Sequence, residues 1–156
     1  MFEVLTSNYA SEVLKLIAAS QTSLDVLSYV VNFNLYKRSD KANLIFCALK
    51  SFAGAGGSVR FILDFPKLYK PNYHCNKFSS RRFKEAGFAV RFLHSGSTQH
   101  AKLILSDSSI SIFGSHNLTS RSVLNRYDVS LLSDNIKLSD FFSSYYSELW
   151  QSSVEL

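Results

Sequence analysis

The strongest constraint on the fold is a regular alternation, through the first half of the chain, of β-rich runs with segments of helical periodicity. Apolar residues recur at helical spacing in three segments, one that follows Asn8 and two that cover residues 40–53 and 77–85. The β-rich runs are residues 23–31, 59–64 and 89–93. Strands that alternate with helices favour parallel pairing in a sheet that the helices cover.

The second half of the chain has a different pattern, in which strands follow one another with short connections. Residues 100–105 and 109–113 are β-rich and only Ser106–Ser108 separates them, which predicts a hairpin. A sixth strand is predicted at 127–132, and an amphipathic last helix at 136–150. We therefore expect an α/β fold with a mixed β-sheet flanked by helices on both faces.

Composition and charge bound the class of protein and its partners. The 156 residues fit one domain, 1–156, and carry 17 Lys and Arg against 12 Asp and Glu, which gives a formal net charge of +5. A basic chain favours nucleic acid or an anionic membrane surface, although a basic domain with no such partner has the same charge. No run approaches the roughly 20 apolar residues that cross a bilayer. The amino terminus lacks the pattern of a secretion signal, so we expect a cytoplasmic location.

The cysteines favour neither a disulfide framework nor a zinc site. The chain has two cysteines, which is too few for either. Cys47 lies in an apolar run and is predicted to be buried. Cys75 stands next to His74, and this pair alone is weak evidence for a metal site.

One segment brings together side chains suited to chemistry on a phosphoryl group. His100 and Lys102 are two residues apart, so in a strand they point to the same face, and Ser115 and Asn117 have the same spacing. Histidine can serve as a nucleophile or proton donor, and cations and amide donors stabilise charge that builds on a phosphoryl group. Gly114 allows a close approach of the backbone. The sequence has no obvious carboxylate cluster for Mg²⁺, so we expect a metal-independent reaction without a cofactor.

The spacing of this segment resembles the signature of the phospholipase D superfamily. The matching positions, without gaps, are His100, Lys102, Asp107, Gly114, Ser115 and Asn117. The order of strands and helices over most of the chain is also similar to that of the small single-motif nucleases of this superfamily.

The resemblance implies a role for each of these side chains. His100 would attack phosphorus and form a covalent phosphohistidine, while a second His100 would protonate the leaving oxygen and then activate water. Lys102 and Asn117 would hold the phosphate oxygens, with Ser115 close by. Asp107 is structural in most members of the superfamily.

The superfamily commonly places a glutamate, which orients the nucleophilic histidine, about a dozen residues after the Gly-Ser pair. Asp128 stands at that place in this chain. A carboxylate on the imidazole fixes its tautomer and stabilises the charged ring. Because aspartate is one methylene shorter, either the strand lies closer to the histidine or the histidine is held less well.

The mechanism needs two histidines, and the chain has one in the signature. The other three are His74, His94 and His116, of which His116 occupies the variable position. No second copy of the motif is present in the sequence. We therefore expect a homodimer with one composite site at its interface.

The substrate is inferred from a basic stretch that lacks acidic residues. Its cations, interleaved with Tyr69, Tyr73 and Phe78, are Lys67, Lys70, Lys77, Arg81, Arg82 and Lys84. Cations that follow a backbone and rings that stack on bases suit nucleic acid, DNA or RNA, and especially single strands. Lys67, Lys70 and Arg81 are thus expected to bind substrate together with Ser115, although a solvated basic helix face has the same pattern.

Three functions remain open at this point. The first is a metal-independent endonuclease. The second is a phospholipase D or cardiolipin-type lipid phosphodiesterase, because anionic lipid headgroups would also bind the basic loops. The third is a nucleic-acid-binding module with a degraded site.

Overall fold

The computed structural model describes residues 2–33, 37, 39–65, 70–94 and 96–156. Within these residues, seven strands form one mixed sheet in the order β1-β9-β7-β6-β2-β4-β5, and β3 pairs with β8 in a separate ribbon. The strands are β1 (Phe2–Leu5), β2 (Ser23–Ser28), β3 (Val31–Asn32), β4 (Ser58–Asp64), β5 (Ala89–Leu93), β6 (Leu103–Ser106), β7 (Ile110–Gly114), β8 (Leu118–Thr119) and β9 (Ser130–Ser133). The helices are α1 (Tyr9–Ala19), α2 (Lys41–Gly54), α3 (Pro71–Glu85) and α4 (Ile136–Ser152), with a short 3₁₀ helix at Ser122–Leu124.

The sheet divides into a parallel and an antiparallel half, as the two sequence patterns predict. Strands β2, β4 and β5 are parallel, whereas β6 joins β2 antiparallel and continues into the β6–β7 hairpin. Strand β9 pairs with β7, and β1 adds an edge strand on β9, both antiparallel. The α/β mixed sheet is therefore confirmed, while β1 was not predicted.

Helices cover both faces of the sheet, because alternate strand residues point to opposite sides. One core packs α1, α2 and α3 against residues such as Val26 and Phe61. A second core packs α4, through the buried Tyr146, against residues such as Leu27. In the described part of the chain, no helix is long and apolar enough to cross a membrane.

Helix α3 begins at Pro71, six residues earlier than predicted. The first two turns of α3 place polar side chains, instead of apolar ones, against the sheet. Asn72 and Asn76 are both buried and bind backbone and side-chain groups there. Hydrophobic periodicity cannot detect a buried face made of asparagines.

The burial predicted for Cys47 is wrong. Helix α2 buries Ala42, Ile45, Phe46 and Leu49, which share one side of the helix. Cys47 lies on the other side and is exposed.

The turn between β6 and β7 is fixed by one carboxylate. Asp107 and Ser108 both have positive φ angles, +50° and +53°. The Asp107 carboxylate accepts hydrogen bonds from the backbone N–H groups of Gln21, Thr22 and Ser23 and from the Thr22 hydroxyl, at 2.8–2.9 Å. Burial alone would raise the pKa of Asp107, but these bonds outweigh it and lower the pKa to about 2. This agrees with the structural role that the resemblance implies for Asp107.

Candidate active site

The signature side chains meet at one end of the sheet. Strands β2, β4 and β5 end there, β6 begins there just after Lys102, and β7 ends there at Gly114. The N–H of Gly114 donates to the carbonyl oxygen of Lys102 at 3.2 Å, so the two halves of the signature lie side by side. The sequence predicted a strand that begins at His100. In the structure, β6 begins at Leu103, so His100 and Lys102 lie just before it.

His100 and Lys102 are in direct contact. The Lys102 Nζ lies 3.1 Å from His100 Nδ1 and donates to the His100 carbonyl oxygen at 2.5 Å. The Lys102 side chain is 7% exposed while His100 is exposed. Burial lowers the pKa of Lys102, and the negative charge of Asp128 acts in the opposite direction. The pair thus presents a histidine to solvent above a shielded cation.

The contact bears on the tautomer of His100. An ammonium group can only donate, so Lys102 forms a hydrogen bond with Nδ1 only when that nitrogen carries no proton. A neutral His100 ring then has its proton on Nε2 and is a proton donor at that atom. To act as a nucleophile through Nε2, the ring must instead hold its proton on Nδ1.

Gly114 is required by a close approach of two strands. A Cβ at this position would lie 2.4 Å from the Val129 carbonyl oxygen and 2.5 Å from Ser130 Cα. Backbone cannot move aside as a side-chain end can. The glycine therefore lets β7 and β9 approach closely at the point where Ser115 begins the second half of the signature.

Ser115 and Asp128 belong to one hydrogen-bond cluster. The Ser115 hydroxyl donates to Asp128 Oδ1 at 3.0 Å and accepts from the N–H of Val129 at 2.9 Å. The other carboxylate oxygen, Oδ2, accepts from the Ser122 hydroxyl at 2.8 Å and from Asn125 Nδ2 at 3.1 Å. Burial would raise the pKa of Asp128, but the bonds from Ser122, Ser115 and Asn125 outweigh it and lower the pKa.

Both oxygens of Asp128 are thus engaged by neighbours within the same chain. Among the hydrogen bonds of the described residues, none joins Asp128 to His100. The predicted role of Asp128 in orienting His100 stays a prediction.

The backbone N–H of Asn117 fixes the position of this residue. Its N–H donates to the Ser122 hydroxyl at 2.8 Å, so Ser122 connects it to Asp128. The side-chain Oδ1 is buried and has no hydrogen-bond partner within the described structure. Phosphate oxygens accept hydrogen bonds, so the role predicted for Asn117 would use its Nδ2 donor rather than this oxygen.

Two residues near the signature were not recognised from the sequence. His116, at the variable position, is 1% exposed; its ring stacks on Tyr9 at 4.2 Å and its Nδ1 lies 2.8 Å from the Ser130 hydroxyl. The Tyr29 ring lies 4.8 Å from the His100 ring and 5.4 Å from Lys102 Nζ. No sequence signal marks either residue, since one is a variable motif position and the other lies within a β-rich run.

Two of the three predicted substrate-binding cations lie among the described residues. Lys70 is exposed immediately before α3, and Arg81 is exposed on that helix. Lys67 lies outside the described residues. On α3, the Lys77 ammonium packs on the Tyr73 ring and the Arg82 guanidinium on the Phe78 ring, at 5.4 and 5.7 Å from the centroids. The described residues contain no group of three or more His, Cys, Asp or Glu that could hold a metal ion.

Comparison with known proteins decides the family. A family model described as cardiolipin synthase, PLD-like domain, matches residues 13–150. The chain belongs to the PLD-like family. This confirms the resemblance drawn from the signature. A search of the curated proteins found no match.

Solved structures show the same PLD-like fold. NucT from Helicobacter pylori has a TM-score of 0.76 at 18% identity, covering 100% of this chain and 99% of NucT. Nuc from Salmonella typhimurium, a phospholipase D family member, has a TM-score of 0.77 at 17% identity, covering 100% and 97%. A phosphatidylserine synthase from Haemophilus influenzae has a TM-score of 0.74 at 16% identity, and the match covers 100% of this chain but 40% of the synthase. At these identities the likeness is one of fold.

Proposed function

We propose that this PLD-like protein is a metal-independent phosphodiesterase, an endonuclease on DNA or RNA that works as a homodimer. The observation that carries the proposal is the contact of His100 with Lys102 at the sheet end where Ser115 and Asn117 also lie. A histidine and a shielded cation are in contact there, and a hydroxyl and an amide group lie at the same end of the sheet. This is the set that a phosphoryl-transfer site needs.

The proposed reaction has two steps. In the first, Nε2 of His100 attacks phosphorus and the bond to the leaving oxygen breaks, while His100 of a second copy gives that oxygen its proton. In the second, the same second histidine takes a proton from water, whose oxygen attacks phosphorus and releases His100. Lys102 and Asn117 hold the phosphate oxygens through both steps.

Substrate binding would also resolve the tautomer of the nucleophile. A phosphate oxygen is a better partner for the Lys102 ammonium than a neutral imidazole, since the hydrogen bond is then assisted by both charges. Once Lys102 turns to the phosphate, His100 Nδ1 is free to hold the proton and Nε2 is free to attack. In the nucleophilic His100, Lys102 binds the phosphate and the ring proton is on Nδ1. In the His100 that acts as the acid, Lys102 stays on Nδ1 and the ring proton is on Nε2.

The exposed cations of α3 support a nucleic-acid substrate. Lys77 and Arg82 lie over exposed or half-exposed rings, and Arg81 and Lys70 are exposed beside them. Such a surface follows a phosphate backbone and offers rings for base stacking. A lipid phosphodiester is the second candidate, favoured by the cardiolipin synthase description of the family model and by the fold shared with a phosphatidylserine synthase.

The homodimer is proposed because one signature supplies one of the two histidines. Light scattering should give a dimer, and activity should fall on dilution below the dissociation constant. A monomer that is fully active at high dilution contradicts the composite site.

The function is tested by one set of incubations in EDTA, with wild type beside His100→Ala. The substrates are single-stranded DNA, duplex DNA, RNA and vesicles that contain cardiolipin. We expect nucleic-acid cleavage by the wild type alone. Loss of cleavage on chelation contradicts the metal-independent route. Cleavage of cardiolipin alone favours the lipid phosphodiesterase. If no substrate is turned over, the proposed activity is wrong and the binding module is favoured.

A further inference from the structure

The ring of Tyr29 contacts both His100 and Lys102. It is half-buried, at a tilt of 55° to the His100 plane, just after the end of β2. His100 itself is exposed. An exposed histidine ring turns freely about its side-chain bonds unless a neighbour restricts it. In the described chain, Asp128 is engaged elsewhere, so the neighbours of His100 that can do this are Lys102 and Tyr29.

The backbone of Tyr29 is fixed by two asparagines of α3. Its carbonyl oxygen accepts from Asn76 Nδ2 at 2.9 Å and from Asn72 Nδ2 at 3.4 Å. Asn76 is fully buried; it also donates to the Asp64 carbonyl oxygen and accepts from the N–H of Val31. A buried amide with all these partners allows Tyr29 little movement.

The same group of residues fixes the segment that carries His100. The carboxylate of Asp64 accepts from Asn72 Nδ2 at 3.0 Å and from the N–H of Gln99 at 2.8 Å. The Gln99 side chain then donates to the Ala101 carbonyl oxygen at 2.8 Å, bracketing His100 on both sides. The Tyr29 ring and the His100 imidazole are therefore both attached to backbone that the hydrogen bonds of Asp64, Asn72 and Asn76 hold in place.

We propose that Tyr29 is a positioning residue whose ring holds the plane of the His100 imidazole in the orientation from which Nε2 attacks once Lys102 has turned to the phosphate. The inference rests on the proposed function. The part that acts is the ring face, so phenylalanine should replace tyrosine and an aliphatic side chain should not. The competing role for an aromatic ring beside such a site is a platform on which a base of the substrate stacks.

Steady-state kinetics with two substrates separate these roles. Bis(p-nitrophenyl) phosphate reports the chemistry and a single-stranded oligonucleotide also reports base contacts. For Tyr29→Leu we expect kcat to fall by roughly 10- to 100-fold on both substrates with little change in KM, because small misplacement of a reacting group costs this much. Tyr29→Phe should stay within about twofold of wild type. Unchanged kcat in Tyr29→Leu, or a raised KM on the oligonucleotide alone, overturns the proposal.

The matched control is Phe52→Leu, which also removes a partly buried ring. Phe52 packs on Gly57 at the opposite end of the sheet, where β4 begins. This variant should keep wild-type kcat, and thermal unfolding of all variants shows whether a loss of activity follows from a loss of structure.

A second measurement does not depend on turnover. In protein labelled at histidine, the ring protons of His100, assigned with His100→Ala, carry a ring-current shift from Tyr29. We expect this shift to be kept in Tyr29→Phe and lost in Tyr29→Leu, with signals that move toward those of free imidazole. A His100 spectrum that is the same in Tyr29→Leu overturns the positioning role, whereas an inactive wild type with the expected spectra overturns the proposed function alone.

Discussion

The Ser115 hydroxyl donates a 3.0 Å hydrogen bond to the carboxylate of Asp128. This bond joins the second half of the signature to the loop before β9, within one chain. Because Ser122 and Asn125 also donate to Asp128, the carboxylate organises the segment that presents Ser115 and Asn117.

Replacement of Asp128 should therefore affect stability as well as activity. Asp128→Ala leaves three donors without their acceptor, and we expect a loss of about 1–3 kcal/mol in the free energy of unfolding. Asp128→Asn keeps one acceptor oxygen and should lose less. Urea unfolding measures the effect, and an alanine variant as stable as wild type contradicts this role.

Gly114→Ala should distort the site through the backbone. The added Cβ would meet the Val129 carbonyl oxygen, so we expect destabilisation of about 1–3 kcal/mol and a large loss of kcat. Gly54→Ala is the control, since a Cβ at that position meets nothing within 4 Å. Equal stability of the two variants contradicts the close approach of β7 and β9.

Asp107 should contribute stability in a defined pH range. Its pKa of about 2 in the folded chain is below the unfolded value of about 3.9. The contribution is therefore complete above the unfolded value and is lost as the pH falls toward about 2. Asp107→Asn should be less stable than wild type at neutral pH, and the difference should narrow on acidification. Asp140→Asn, at an exposed position of α4, should show neither effect.

His116 should make the fold sensitive to mild acid. Burial lowers its pKa, against the charge of Asp128 and the carbonyl oxygens of Asn125 and Thr6. A lowered pKa means that the unfolded chain binds the proton more readily, so the stability from neutral His116 is complete above about pH 6.5 and declines below it. In His116→Phe this decline below about pH 6.5 should be reduced. His74→Gln, at an exposed histidine of α3, should keep the wild-type profile, and an unchanged profile in His116→Phe contradicts the prediction.

The sequence predicted those parts of the fold whose signal is apolar periodicity or fixed motif spacing. The parallel β2, β4 and β5 and the β6–β7 hairpin follow from these signals. Edge strand β1 was missed because four residues beside a chain end give too short a pattern. The start of α3 was missed because Asn72 and Asn76, rather than apolar residues, face the sheet.

The site was predictable only as far as the signature extends. The spacing of His100 and Lys102 predicted that they lie together, although they precede β6 instead of lying in a strand. The structural use of Asp107 follows from the resemblance. Tyr29 is brought to His100 by long-range contacts through Asp64 and α3, which no local pattern encodes. The partners of Asp128 likewise depend on how the loop before β9 folds.

The proposed chemistry is tested most directly by trapping the covalent intermediate. An oligonucleotide with radiolabelled internal phosphates is mixed with the protein in EDTA, quenched in alkali, and the labelled peptide is identified by mass spectrometry. We predict label on His100 that is stable in alkali and lost in acid, with none in His100→Ala. Cleavage by the wild type without label on His100, or equal labelling of the variant, contradicts the phosphohistidine mechanism.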